Sequence, residues 1–236
     1  MKRAATTVFA LMIVWVASAA LTAPAFAALR ATQVPVLGGF LQAYLNSVGE
    51  SINVNAAQDA TMTWSHTTSG TTTYTIMNQG TTAANAAVQV FGLYNGGDAV
   101  PTLRMLMLGV NGPQSFCTAT FKPGNIVIVN RFDALANLIG LPSTYNLVDP
   151  TNFGFYLTSA LGTLYTQDAR NAGGKAQGLA YQGTGANAGA WWLCWEESVI
   201  ATGSDKDYDD LVVFMESVNP TPVSSTTWGA VKQRFR

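Results

Sequence analysis

Short segments of alternating polar and apolar residues, separated by turn-forming residues, run through most of this 236-residue chain. Many of the segments are rich in Val, Ile, Thr and aromatic residues, and Gly, Asn, Pro and Asp lie between them. A period of two residues is typical of strands that bury one face. About ten such segments, with no long helices between them, predict an all-β fold, either an antiparallel β-sandwich or a jelly roll.

Two segments have a helical spacing instead. Residues 38–47 place Phe40, Leu41, Tyr44 and Leu45 on one face of a short helix. Residues 133–141, with the sequence DALANLIGL, show a similar spacing. We therefore expect one or two short helices beside the strands, within one β-domain that spans about residues 28–219.

The low content of charged residues limits the kinds of molecule that we expect this protein to bind. Charged residues make up 11% of the chain, against roughly 25% in an ordinary soluble domain. The 12 basic and 13 acidic residues leave a formal net charge of −1, so nucleic acid is excluded as an expected partner. One His and two Cys are too few for a zinc site built on those ligands.

The first 27 residues have the pattern of a secretory signal peptide. Lys2 and Arg3 precede a long apolar run, and Ala25 and Ala27 supply the small residues that signal peptidase requires. The alternative is a retained membrane anchor, because the apolar run is near the length that spans a bilayer. We expect cleavage before Ala28, no membrane span afterwards, and a secreted protein that is extracellular or lies at the cell surface.

Export bears on the two cysteines, Cys117 and Cys194. An even number of cysteines in an oxidising compartment predicts a disulfide, here one that closes a long loop. The chain-entropy estimate for such a bridge is about 4 kcal/mol. The alternative is two free, buried thiols.

Acidic residues concentrate near the end of the domain. Asp205, Asp207, Asp209 and Asp210 fall within six positions, directly before the apolar segment LVVFM. Clustered carboxylates repel one another unless a cation or hydrogen-bond donors neutralise them, and oxygen ligands in a loop suit Ca²⁺. The alternative is a solvated turn whose aspartates accept hydrogen bonds from backbone N–H groups.

The spacing of these aspartates partly matches a helix-loop-helix calcium loop. In that loop the sixth position needs Gly, and here it is Asp210. The residues that follow alternate as a strand and do not open a helix, so Glu216 at the twelfth position would lie too far away. The sequence favours an Asp-rich calcium site in a β-loop.

Three tryptophans lie in one predicted strand. Trp191 and Trp195 share one face with Leu193, and Trp192 shares the other with Cys194. Flat aromatic rings can bind sugars, so Trp191 and Trp192 are candidate glycan-binding residues. The alternative is that these side chains belong to the core.

The run AWWLCWEES…GSDKDYDDLVVFMES resembles the "FEDL…GGGDxDYNDLVVEV" ending of a domain family of unknown function. This family occurs in secreted and surface proteins of bacteria, often ones with a PEP-CTERM sorting tail. The segments SINVNAAQDATMTWSHTTSG, VQVFGLYN and NFGFYLTS resemble its earlier motifs in the same order, so the resemblance covers about residues 50–218. It implies a β-sandwich outside the cell, with no known enzymatic activity and a suspected role in surface or matrix assembly.

The resemblance also assigns acidic positions and marks departures. The acidic positions of the family fall on Glu196, Asp205, Asp207 and Asp210, and its Asn falls on Asp209. The His of the family falls on Gln177. The tail lacks the Pro-Glu-Pro motif and a terminal Arg cluster, so exosortase processing is not expected.

Residues 220–236 form a Pro-containing linker and a short basic tail. Trp228, Val231 and Phe235 have helical spacing, with basic residues around them, which predicts an amphipathic helix that either docks or sorts the protein or simply frays. Together these features predict a secreted, non-enzymatic structural protein of the cell surface or extracellular matrix. We expect it to be stabilised by Ca²⁺ and able to form a homo-oligomer or matrix polymer, with a carbohydrate-binding module as the alternative.

Overall fold

A computed structural model describes residues 40–66, 72–80 and 85–221, the segment 72–80 by its backbone alone. In these ranges the chain forms one α-helix, α1 (Phe40–Ser47), and fourteen short strands, which confirms the all-β prediction. The strands are β1 (Gln58–Asp59), β2 (Trp64–His66), β3 (Thr72–Gly80), β4 (Val90–Asn95), β5 (Arg104–Leu108), β6 (Phe116–Lys122), β7 (Ile126–Phe132), β8 (Ser143–Tyr145), β9 (Phe153–Ser159), β10 (Gly162–Tyr165), β11 (Gly178–Gln182), β12 (Trp191–Trp195), β13 (Leu211–Met215) and β14 (Val218–Pro220).

The strands pair into two antiparallel sheets. The larger sheet has the order β1-β11-β12-β13-β3-β6-β7-β8, and the smaller has the order β14-β2-β9-β4-β5 with β10 paired to β9. Five single-turn 3₁₀ helices lie in the connections of the described chain: Ala86–Val88, Gly109–Asn111, Asp168–Arg170, Ala172–Gly174 and Gly185–Asn187. Strands that are neighbours in a sheet are often distant in sequence, so the sandwich depends on long-range pairing.

The main core fills the space between the two sheets, and aromatic side chains dominate it. Trp64 of β2 contacts Trp191 of β12 edge-on, with ring centroids 6.3 Å apart, and Phe91 of β4 contacts Trp195 in the same way at 6.2 Å. Phe155 of β9 stacks on Phe91 at 5.4 Å. Trp64 and Phe91 belong to the smaller sheet, and Trp191 and Trp195 belong to the larger one, so these two pairs join the sheets. Phe155 extends the second pair within the smaller sheet.

A second core lies on the outer face of the larger sheet, where α1 covers β11, β12 and β13. Leu41 and Leu45 of α1 are buried against the side chains of this face, among them Trp192 and Phe214, whose rings lie 4.7 Å apart. Because both faces of β12 and β13 are covered, every residue of these two strands is buried. Both faces of this strand pair are therefore shielded from solvent.

Glu50 anchors the segment after α1 to the second core. One of its carboxylate oxygens accepts hydrogen bonds from Trp192 Nε1 and Asn187 Nδ2, both at 2.7 Å. The other accepts from the backbone N–H and the hydroxyl of Thr184 at 2.7 and 2.6 Å. Burial alone would raise the pKa of Glu50, but these hydrogen bonds favour the carboxylate and lower the pKa.

Three arginines hold loops by donating to main-chain carbonyl groups. Arg131 of β7 donates to the carbonyl oxygens of Leu106 and Met105 in β5, at 2.8 and 2.6 Å. Arg104 donates to the carbonyl of Leu147 at 2.8 Å, and Arg170 to the carbonyl of Asp98 at 2.6 Å. Each guanidinium therefore satisfies backbone acceptors in a loop or at a strand edge.

Three other predictions have different outcomes in the structure. Residues 133–141 form turns and an isolated bridge between Phe132 and Leu138, so the second predicted helix is wrong. Pro220, which we assigned to the linker, ends β14. The predicted signal peptide and the tail after residue 221 lie outside the described residues. No helix in the described part of the chain has the length and apolar character needed to cross a membrane.

The predicted disulfide is also wrong, because both cysteines are free and buried. Cys117 lies in β6 and faces the core between the sheets, whereas Cys194 lies in β12 and faces α1. Two strands, β13 and β3, separate them, which puts three interstrand steps of about 4.8 Å between their backbones. A disulfide needs Cα atoms within about 7 Å, and here the side chains also point to opposite faces.

We expect the stability of the protein to be independent of reducing agent. Burial raises the pKa of Cys117 to about 12 and raises that of Cys194 as well, so neither thiol is reactive while the fold is intact. A thiol reagent should label neither cysteine in native protein and both in denaturant, and the melting temperature should be unchanged by reductant. A Cys117→Ala variant that labels only once in denaturant provides the control. A melting temperature that falls in reductant would contradict this expectation and support the disulfide.

Candidate metal site

Pairing of β12 with β13 positions two carboxylates. The last residue of β12, Trp195, lies opposite the first residue of β13, Leu211. Glu196 follows Trp195 and Asp210 precedes Leu211, so the register of the two buried strands brings these acids to the same end of the sheet. The backbone N–H of Glu197 donates to Asp210 at 2.7 Å, which ties the two strand ends together.

The loop between these strands returns two more aspartates to the same place. Lys206 and Tyr208 have φ values of 66° and 57°, so left-handed residues alternate with Asp205, Asp207 and Asp209. The Tyr208 side chain is buried in the second core, where its hydroxyl donates to the carbonyl of Ala176 at 2.8 Å. This buried anchor fixes the loop between the aspartates.

Four of the five predicted metal ligands come together. Glu196, Asp205, Asp207 and Asp210 each offer one carboxylate oxygen, and these four oxygens all lie within 4.8 Å of one another. Glu196 is buried, Asp207 and Asp210 are half-buried, and Asp205 is exposed. The cluster therefore has a closed side formed by the sheet and an open side formed by the loop.

Asp209, the fifth predicted ligand, does not belong to this carboxylate cluster. Its side chain is buried and accepts a hydrogen bond at 3.1 Å from the backbone N–H of Phe40, the first residue of α1. It therefore satisfies one of the free N–H groups at the start of the helix. Asp209 is not one of the four clustered carboxylates, and its hydrogen bond joins the loop to the outer helix.

Hydrogen-bond donors surround the buried carboxylate of Glu196. One oxygen accepts from the backbone N–H of Tyr208 at 2.7 Å, and the other accepts from the hydroxyl of Ser204. Sequence reasoning missed Ser204 as a partner. The signal was available, since a hydroxyl residue directly precedes the aspartates, but its direction depends on the turn of the loop.

Gln177 holds the other side of the loop and was also missed. It is fully buried, its amide donates to the carbonyl of Ser198 and its oxygen accepts from the N–H of Ile200, both at 2.8 Å. The backbone N–H of Glu196 donates to the carbonyl of Gln177 at 3.0 Å. Gln177 therefore supports the segment that follows Glu196.

Burial and mutual repulsion make the cluster hold protons. Burial, together with the charges of Asp205 and Asp207, raises the pKa of Glu196 to about 7, against the lowering effect of Ser204 and the Tyr208 N–H. Burial and the nearby charge of Glu196 raise the pKa of Asp210 to about 7 as well, although the Glu197 N–H opposes this. Burial also raises the pKa of Asp207.

The donor set fits a hard divalent cation. Ca²⁺ binds oxygen ligands at about 2.4 Å, so oxygens on opposite sides of one ion are about 4.8 Å apart. Four carboxylate oxygens within 4.8 Å of one another match the spacing of ligands around one such ion. The exposed side at Asp205 leaves room for the water molecules that complete a shell of six to eight oxygens.

The candidate glycan-binding residues lie inside the protein. Trp191 and Trp192 are 3% and 2% exposed, and they face the two different cores as the alternation predicts. Neither ring has a face open to a sugar. The core interpretation is therefore confirmed, and the surface tryptophan platform is wrong.

Comparison of the chain with protein-family models, with curated proteins and with solved structures found no match in any of the three.

We expect the metal-free protein to lose stability as pH rises from about 4 to about 7. A carboxyl group whose pKa is raised on folding stabilises the folded state fully below its unfolded pKa of roughly 4. That contribution disappears as pH rises through the folded value of about 7 for Glu196 and Asp210. Chemical denaturation in chelator should show a fall of several kcal/mol across this range, because two groups contribute.

The Asp210→Asn variant tests the origin of this pH dependence. Its amide oxygen can still accept from the Glu197 N–H, but it does not titrate, so the slope should be clearly smaller. Glu216→Gln removes an exposed carboxylate outside the cluster and should leave the slope unchanged. Equal slopes in all three proteins would show that the cluster does not hold the protons.

Proposed function

We propose that this chain is a secreted, non-enzymatic structural protein of the cell surface or extracellular matrix, and that Ca²⁺ bound at the carboxylate cluster stabilises it. The observation that carries the metal is the convergence of Glu196, Asp205, Asp207 and Asp210 within 4.8 Å. A buried acid in such a group is costly to ionise unless a cation neutralises it. Ca²⁺ supplies that charge when bound and links the end of β12 to the loop before β13.

The structural role is supported by the sequence. The N-terminal pattern predicts export, and the resemblance to the bacterial domain family points to surface or matrix proteins. The exposed carboxylate of Asp205 and the half-buried carboxylate of Asp207 would sample an extracellular medium, where calcium is commonly millimolar and loop sites of modest affinity are occupied.

Self-association belongs to the same proposal. A protein of this type acts as a homo-oligomer or a matrix polymer, and open strand edges are a direct route to assembly. The low content of charged residues, 11%, weakens the repulsion that keeps ordinary soluble proteins apart.

Calcium should raise the melting temperature of the wild-type protein. At a free concentration one hundred times its dissociation constant, a ligand specific for the folded state adds about 2.7 kcal/mol. For a domain of this size that corresponds to roughly 5–10 °C. Differential scanning calorimetry with Ca²⁺, with Mg²⁺ and with chelator measures the shift, and Mg²⁺ should give the smaller effect because it demands stricter geometry.

Asp207→Asn makes this test specific, because its expected effect changes sign with calcium. In chelator the variant should melt higher than wild type, since one repelling charge is gone. In calcium it should melt lower, since a ligand is gone. Glu216→Gln has the same change in charge on the same chain segment and should follow wild type in both conditions. A wild-type midpoint that ignores calcium would remove the metal from the proposal.

Export is tested by the mass of the mature protein. Expressed in a bacterial host with residues 1–27 in place, the protein should be recovered outside the cytoplasm and begin at Ala28. A chain that ends after Thr221 keeps β14 and should be exported equally, because the leader alone directs export. Recovery of the uncleaved chain in membranes would instead favour the retained anchor.

A further inference from the structure

The sequence around the start of α1 supplies no side-chain cap. The helix is eight residues long, and its first turn contains no acidic residue. Residues 36–39 are Val-Leu-Gly-Gly, without the Ser, Thr, Asp or Asn whose side chains usually accept from the first N–H groups of a helix. A helix of this length is marginal on its own in water. Its stability in the protein must therefore come from contacts with other elements.

The acceptor for the first N–H group comes from the loop before β13. Asp209 is 3% exposed, and its carboxylate accepts from the backbone N–H of Phe40 at 3.1 Å, across 169 positions of sequence. A carboxylate at the start of a helix also interacts favourably with the helix dipole. The start of α1 therefore depends on the position of the acidic loop, which we define as residues 204–210.

The acidic loop also contributes a large apolar side chain to the core beneath α1. Tyr208 is fully buried and belongs to the second core, together with Leu41 and Leu45 of the helix. Its backbone N–H donates to Glu196 at 2.7 Å, and its hydroxyl donates to the carbonyl of Ala176 at 2.8 Å. The loop thus supports α1 through two adjacent residues, one polar and one aromatic.

Two of the clustered carboxylates lie on either side of these two residues. Asp207 directly precedes Tyr208, and Asp210 directly follows Asp209. The carboxylates of Asp207 and Asp210 both belong to the cluster. An ion bound to both would fix the two ends of the segment that carries Tyr208 and Asp209. Without the ion, the repulsion between the carboxylates acts on the same two ends.

We propose that binding of a divalent cation at the carboxylate cluster controls how firmly α1 is held on the outer face of the larger sheet. With Ca²⁺ bound, the acidic loop keeps Asp209 at the start of the helix. Without it, α1 opens more often. This inference rests on the proposed calcium site and adds to it an element that calcium regulates.

The opening should be local. The segment after α1 is held at Glu50 by hydrogen bonds from Thr184, Asn187 and Trp192, and none of these residues belongs to the acidic loop. Elements with separate anchors can open separately, at a free energy below that of global unfolding. Loss of calcium should therefore loosen α1 while the two sheets keep their arrangement.

Hydrogen exchange followed by mass spectrometry tests this coupling in the chain without residues 1–27. The backbone N–H groups of residues 44–47 donate within α1, so their exchange reports how often the helix opens. Labelling times are chosen so that β7 stays protected in both conditions, which limits the exchange in α1 to local opening. In Ca²⁺ these amides should exchange about tenfold more slowly than in chelator, within the usual range for two coupled sites.

Variants of Asp209 separate coupling from simple support of the helix. Asp209→Ala removes the acceptor for the Phe40 N–H and none of the four clustered carboxylates, so it should bind Ca²⁺ but lose most of the calcium effect on α1. Asp209→Asn keeps an oxygen that can accept, and it should retain part of the effect. Glu216→Gln removes an exposed carboxylate outside the cluster and should match wild type. Faster exchange of α1 in Asp209→Ala with an undiminished calcium effect would contradict the coupling.

The reverse direction gives a second test, because coupling between two sites is reciprocal. Leu41→Ala removes buried contacts of α1 without changing a charge, and it should weaken Ca²⁺ binding several-fold in isothermal titration calorimetry. Leu157→Ala is the matched control. Leu157 is equally buried, but it lies in the main core on β9, so this variant should bind Ca²⁺ as wild type does. Both variants are measured at a temperature at which circular dichroism shows folded protein.

The outcomes distinguish this inference from the calcium site itself. If calorimetry detects bound calcium but α1 exchanges at the same rate in calcium and in chelator, the coupling is overturned and the calcium site stands. A Leu41→Ala variant with wild-type affinity would also contradict the coupling. A wild-type protein that binds no calcium would remove the site and the coupling together.

Discussion

The pairing of β12 with β13 is the constraint on which the rest of the structure depends. Both strands are buried on both faces. One face of each strand packs against the smaller sheet, and the other face packs against α1. Their side chains thus belong to two cores at once, and a shift of register by one residue would exchange the residues of those cores. The register that packs the tryptophans also decides where Glu196 and Asp210 lie. Packing and the position of the acids are consequences of the same pairing.

The acidic site is costly for the fold to keep without a cation. Glu196 is buried beside three other carboxylates, and its hydrogen bonds from Ser204 and the Tyr208 N–H offset only part of the cost of burying the charge. The metal-free protein meets the rest of this cost by holding protons. A bound divalent cation would displace those protons and draw the loop onto the sheet. The stability of this end of the sandwich should therefore depend on pH and on divalent cations in solution.

Features that depend on the spacing of residues close together in sequence were predictable. Alternation alone separated Trp191 from Trp192 and assigned them to different faces, and the aspartate-rich loop identified Asp205, Asp207 and Asp210. Features that depend on strand order were not predictable. The disulfide failed because two strands lie between Cys117 and Cys194, and no local pattern reports that separation. The contact of Asp209 with the Phe40 N–H was not predictable, because the two residues lie far apart in sequence.

The second predicted helix shows a different limit. The leucines of residues 133–141 have helical spacing, but the structure uses this segment as a connection along a sheet edge, with the leucines exposed. A spacing pattern reports which side chains lie on a common face, and it does not report whether that face meets the core of the same molecule.

Arginine side chains anchor the loops at the β5 end of the sandwich by hydrogen bonds to the main chain. Arg104, Arg131 and Arg170 bind main-chain carbonyl oxygens, whose positions are set by the backbone and whose partial charges are half-enclosed. Dissolved ions screen exposed pairs of opposite charge but compete poorly for such enclosed dipoles. The loops at this end should therefore keep their arrangement in brackish or marine ionic strength as readily as in fresh water.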